Sequence, residues 1–173
     1  MTTTTDTLSL SDTAYFAFSD IILTASKYQT LAVAEDVAEN MGASLEIGAS
    51  IVSAFSPRNR WSNNVAQALA FSMNKPVSGL SNNLRMAQDA MVLGFDALKG
   101  LKTNAFARAI AGDTDAVVID VWMMRAAGMD TDSPNKSQYL ALSDAVRKVA
   151  SDHGITPRTA QALIWIIVRG SAN

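Results

Sequence analysis

Ala97-Leu-Lys-Gly100-Leu-Lys102-Thr-Asn-Ala-Phe-Ala-Arg-Ala-Ile-Ala-Gly112-Asp-Thr-Asp-Ala-Val-Val-Ile-Asp120-Val-Trp-Met-Met-Arg125 is the run that decides how the chain is read. It reads as a glycine turn opening a helix, a loop stopped by Gly112, a short apolar segment, and an aspartate at the head of another helix. A glycine turn at a helix N-terminus points backbone N–H groups outward, the geometry that holds a phosphate. Lys102 falls just inside that helix. Asp120, after four apolar residues, is placed to cap the next helix while its carboxylate faces whatever lies beyond.

Outward from this run, apolar residues recur at helical spacing: Leu31, Val33, Val37 and Met41; Leu80, Leu84, Ala87, Met91 and Phe95; Tyr139, Leu142, Val146 and Val149. Helix starts are signalled by Ser44, by Ser56-Pro57, by Ser81, and by Thr156-Pro157 with proline in a first-turn position. Gly42, Gly79, Gly112, Gly128 and Gly154 stand where helices should stop. The pattern predicts seven to nine short helices and an all-α fold, with residues 116–119 the one stretch suited to an extended conformation. Residues 1–9 read as a disordered polar tail and residues 10–173 as a single helical domain.

Composition narrows the chemistry. The 173 residues are 49% hydrophobic and 17% charged, enough to bury a core in one compact domain. There is no cysteine, which excludes disulfides, thiolate zinc sites, cysteine-ligated iron–sulfur clusters and cysteine nucleophiles. A single histidine, His153, leaves no multi-histidine metal site, and no cofactor is expected. The formal net charge is −2, so nucleic-acid binding needs a local patch. Residues 1–96 carry a net of −4 and residues 97–173 a net of +2, which makes the C-terminal half the better partner for an anion. The polar start lacks the basic and apolar regions of a secretory signal, and the most apolar segment, residues 162–168, is too short for a bilayer, which needs about 20 residues. A soluble intracellular protein is expected, with no membrane partner.

The central run resembles the helix-hairpin-helix DNA glycosylase superfamily, in which a hairpin is followed by a helix and then a catalytic aspartate. Lys102, in Lys-Thr-Asn-Ala-Phe, matches the lysine of the lyase-competent branch. Asp120, in Val-Val-Ile-Asp-Val-Trp-Met-Met-Arg, matches the aspartate. The hairpin is degenerate, with Gly100 remaining of its usual two glycines. Elsewhere the chain looks like a group of short phage and plasmid proteins recognised by Phe55-Ser-Pro-Arg-Asn-Arg-Trp61-Ser-Asn-Asn64 and Gln161-Ala-Leu-Ile-Trp165-Ile-Ile-Val-Arg169, which implies the cytoplasm of a bacterial host. The resemblance implies a compact multi-helix glycosylase-like fold, DNA as partner, base excision as the activity, and no iron–sulfur cluster.

It also implies roles. A target base is flipped into the cleft. Lys102 attacks the sugar C1′, which requires an amine partly deprotonated near neutral pH, and Asp120 stabilises the cationic sugar. Lys99, Gly100 and Thr103 grip DNA at the hairpin. Arg58, Arg60, Trp61 and Asn64 reach it from a second loop, and Gln161 and Arg169 line the cleft.

Plainer readings stand beside these. Lys102 also fits a solvated helix lysine, and Asp120 fits a simple N-cap. Trp122 and Trp165 are expected in the core, Met123 and Met124 as packing, and Gln161 and Arg169 as partners of loop carbonyls. His153 sits favourably at a helix C-terminus. Three functions follow: a glycosylase with or without lyase activity; a DNA-binding module that keeps the fold without the chemistry; and a glycosylase-fold enzyme of base hypermodification.

Overall fold

The structure is a computed structural model in which residues 29–131 and 133–169 are described; the expected tail at residues 1–9 lies outside them. Among the described residues there are eight α-helices, one short 3₁₀ helix and no strand, so the fold is all-α as the periodicity predicts. They are α1 (residues 29–41), α2 (Leu45–Ala54), α3 (Trp61–Ser72), α4 (Ser81–Leu93), the 3₁₀ helix (Gly94–Ala97), α5 (Leu101–Ile110), α6 (Val121–Ala126), α7 (Lys136–Asp152) and α8 (Pro157–Arg169). Residues 116–119 are a buried, irregular connection rather than a strand.

Local chemistry sets most boundaries. Ser44 caps α2 by accepting from the Ile47 N–H, and Asn135 caps α7 through a reciprocal box with Gln138. Pro157 opens α8 with its fixed φ, and the Thr156 hydroxyl accepts from the Thr159 N–H. Gly42, Gly112, Gly128 and Gly154 all take positive φ just past helix ends, where the next N–H returns to a carbonyl five residues back.

Three expectations shift. α3 is stopped by Asn74, at φ 55°, with Lys75 N–H donating to Ala70 O at 2.8 Å, whereas Gly79 lies in the following loop. Asparagine is the side chain that best tolerates this region after glycine. Ser56-Pro57 does not start a helix. Arg58 turns at φ 56°, and α3 begins only at Trp61 with Arg60 as its cap residue. Ser81 is the first residue of α4 rather than its cap, which is Leu80.

The helices pack as two clusters. The first is built by α1 to α5 around Val37, Ile51, Val52, Phe55, Ala87 and Ile110, all at most 2% exposed. Phe55 meets Phe71 edge-on, ring centroids 5.8 Å apart. α1 and α2 approach so closely that a Cβ on Gly48 would run into the carbonyl oxygen of Ala34. The second cluster gathers Val117, Ile119, Met123, Met124, Tyr139, Val146, Ala150 and Ala160 from the connection, α6, α7 and α8. Met123 and Met124 are packing residues, as expected. The chain crosses between the clusters after α5, where the Arg158 N–H donates to Thr114 O at 3.0 Å.

Candidate functional site

The first turn of α5 is held from below. Ser53, fully buried in α2, donates its hydroxyl to Thr103 O at 2.7 Å, and Leu98 is 3% exposed beneath the turn. Asn104 donates to Phe95 O at 2.9 Å and accepts from Arg108 Nε at the same distance, while Arg108 stacks on the Phe95 ring. The Phe95 N–H donates to Glu46 Oε1 at 3.1 Å, so α2 also fixes the start of the connection. Gly100 is the cap residue of α5, and no side chain caps that N-terminus. Its free N–H groups and the macrodipole add positive potential there.

Across from it stands Asp120, the cap of α6. Its Oδ1 accepts from the N–H groups of Trp122 at 3.0 Å and Met123 at 3.1 Å, and its Oδ2 accepts from Trp165 Nε1 at 2.9 Å. α8 is thereby tied to the head of α6. Trp165 carries the Arg169 guanidinium over its ring at 4.5 Å, and Trp122 carries Arg125 at 4.6 Å.

These elements enclose a cleft of about 900 Å³, lined by Lys99, Gly100, Leu101, Lys102, Ile119, Asp120, Val121, Trp122, Ser133, Pro134, Lys136, Tyr139, Trp165 and Arg169. Four cations and one carboxylate face it among the described residues, in a chain whose overall charge is negative. Among the described residues none of the four pairs with a carboxylate, and the ion pairs there are Arg147 with Asp144 and Lys148 with Asp152. The cleft therefore presents a local positive field to an anion, which low-dielectric walls concentrate.

The sequence-predicted residues divide. Lys99, Gly100, Lys102, Asp120 and Arg169 come together in the cleft. Thr103 does not line it, because its hydroxyl donates to Gly100 O at 2.9 Å within its own turn. Gln161 is half-buried on α8 and outside the lining. Arg58 and Arg60 are exposed on a separate loop, and Trp61, also exposed, opens α3 at its end. That loop is braced by Asn59, which donates to Phe55 O and Gln67 Oε1, and by Asn83, which donates to Pro57 O. Asn64 points the other way: it is 2% exposed, in the protein interior, and offers no surface contact. Trp122 and Trp165, expected in the core, line the cleft instead, with Trp165 also packed on the second cluster.

Lys136 and Tyr139 were not singled out for the site by sequence reasoning. The signal for Lys136 was Asn135, whose cap places the lysine at the head of α7. Tyr139 is 7% exposed; its hydroxyl donates to Val117 O at 2.8 Å and accepts from the Ile119 N–H at 3.4 Å, holding the connection that delivers Asp120. Burial raises its phenol above the ordinary value near 10, opposed by the Ile119 hydrogen bond and by Arg147. A raised folded-state value favours the neutral phenol, so this stability is present below pH 10 and lost as pH climbs through the folded value. Tyr139→Phe is expected to cost about 1–2 kcal/mol at pH 7, by leaving Val117 O and the Ile119 N–H unpartnered. It should also flatten the alkaline loss of stability relative to wild type, measured by urea unfolding from pH 8 to 11.

Among the described residues no helix is long and apolar enough to cross a membrane. The chain belongs to the DUF7178 family, a family of unknown function, whose profile matches residues 26–172. No curated protein and no solved structure matches it.

Proposed function

We propose that the protein acts on DNA bases as a glycosylase and abasic-site lyase, taking an extruded nucleotide into the cleft and attacking its sugar C1′ with Lys102. The observation that carries this reading is that Lys102 and Asp120 line one cleft, amid cations that no carboxylate pairs among the described residues. The sugar C1′ of a stacked, paired nucleotide is not open to attack by a side chain, so chemistry there requires extrusion into a pocket of nucleotide size. Lys99, Lys136, Arg169 and the uncapped head of α5 supply the field that draws the phosphates. The exposed Arg58 and Arg60 on their braced loop, with Trp61 at the start of α3, form a second contact with the duplex. The setting is the DNA of a bacterial host.

In the chemical step the lone pair of Lys102 Nζ forms a bond to C1′ as the C1′–N bond breaks. The base leaves with the bonding electrons and takes up a proton. Asp120 offsets the positive charge that develops on the sugar, and its carboxylate needs no reorganisation because three N–H donors already fix it. Nζ gives up a proton, the sugar ring opens to an imine, and loss of a C2′ proton then breaks the C3′–O3′ bond with departure of the phosphate. Water hydrolyses the imine and frees the lysine.

A second reading has its own observation. Every contact of Asp120 is to an N–H of its own helix or of Trp165, the set a purely structural cap would make. In that case the cleft binds DNA without chemistry.

Borohydride trapping separates the two. The full chain is incubated with duplex and single-stranded oligonucleotides carrying an abasic site, uracil, 8-oxoguanine or a modified pyrimidine. A covalent adduct with wild type that Lys102→Ala abolishes is the expected result. Salt-sensitive binding with no adduct on any substrate transfers the assignment to the binding module.

A further inference from the structure

We propose that Trp165 is a positioning residue that couples a phosphate oxyanion held by Arg169 to the carboxylate of Asp120. The proposal rests on the reading above only for the phosphate character of the ligand and for its rate measurement.

The indole works through both its edge and its face. Its Nε1–H donates to Asp120 Oδ2 at 2.9 Å, and its ring carries the Arg169 guanidinium at 4.5 Å. Trp165 and Arg169 are four residues apart on α8, so they share one face of the helix. Asp120 Oδ1 is occupied in capping α6, which leaves the indole as the group that sets the direction of Oδ2. Arg169 lines the cleft, has no carboxylate or hydrogen-bond partner among the described residues, and stacks on the indole with its planar edge of donors free. That edge matches two oxygens of a phosphate. An anion drawn onto the guanidinium shifts it over the ring, and the ring's tilt changes the hydrogen bond to Asp120. Trp122 and Arg125 repeat the stack on α6, yet Arg125 does not line the cleft. The second stack thus keeps its cation outside the cleft, although the Trp122 ring lines it.

The test uses proton–nitrogen correlation spectra of the full chain, in which the indole signals of Trp61, Trp122 and Trp165 are assigned by single replacements with phenylalanine. The expected Trp165 indole proton exchanges slowly with water, and rapidly in Asp120→Ala. Inorganic phosphate moves the Trp165 signal and leaves that of Trp61 in place, and a duplex with a stable abasic-site analogue moves the Trp165 signal as well. Arg169→Gln removes the response and lowers the salt dependence of duplex binding by about one ion in the log–log slope. With a trapping substrate, Trp165→Phe lowers the adduct-forming rate at saturating DNA by about tenfold while weakening binding far less.

A Trp165 signal indifferent to both probes in folded wild type overturns the proposal, as does an unchanged saturated rate in Trp165→Phe. Should Trp165→Phe fail to fold, the wild-type and Arg169→Gln titrations still decide. If the probes move the indole through Arg169 and no oligonucleotide gives an adduct, the lyase reading falls and the coupled anion site stands.

Discussion

Asp120→Ala is expected to lower the unfolding free energy by about 2–4 kcal/mol, a large part of the 5–15 kcal/mol that holds a typical domain together. The figure follows from what the carboxylate does. Capping two N–H groups of α6 contributes about 1 kcal/mol, and stranding the Trp165 N–H in a half-buried site costs about 1–3 kcal/mol more. Asp120→Asn separates the contributions. Its amide oxygen keeps one end of the carboxylate's work, but the amide nitrogen must then face a donor, either the Trp165 indole or the backbone of α6. About half the loss is therefore expected to persist, read as the midpoint shift in urea at constant slope. The two variants also divide structure from chemistry. If Asp120 only caps, stability and DNA binding fall together in both. If it also stabilises a cationic sugar, the asparagine variant traps far less adduct than its fraction folded accounts for.

The helix content and most helix ends were legible because they depend on neighbours in the chain. Ser44 and Pro157 declare themselves within a turn, and so does the aspartate that heads α6. Lys102 and Asp120 were readable for the same reason, as a first-turn lysine and a cap. What sequence could not carry was the third dimension of the cleft. The Trp165 bond to Asp120 spans 45 positions, and nothing in the apolar run around Trp165 distinguishes a cleft wall from a core. Asn64 shows the converse: a polar residue beside exposed arginines reads as surface, but its place on α3 turns it inward. Asn74 in place of Gly79 is a competition of two αL-tolerant residues that local pattern leaves undecided.

Gly94→Ala is expected to destabilise the protein by about 2–3 kcal/mol, where Gly100→Ala costs only a few tenths. The sequence points to Gly100 as the glycine that makes the turn, since it immediately precedes α5. Its φ of −77° suits any residue, however, and an added Cβ would meet only the Thr103 hydroxyl at 3.0 Å. Gly94 carries the geometry instead. At φ 53° and ψ −130° it occupies a region open essentially to glycine alone, and a Cβ there would drive into the Glu46 carboxylate. That carboxylate accepts from the Phe95 N–H, and Phe95 O in turn accepts from Asn104 in α5. Strain at Gly94 is thus passed along the connection to the helix that positions Lys102. The alanine variant should therefore lose adduct formation beyond what its lowered stability explains, and Glu46→Ala in the same chain should recover part of the stability by clearing the clash. Equal effects of Gly94→Ala and Gly100→Ala on the unfolding midpoint would mean that the turn bends at Gly100 after all.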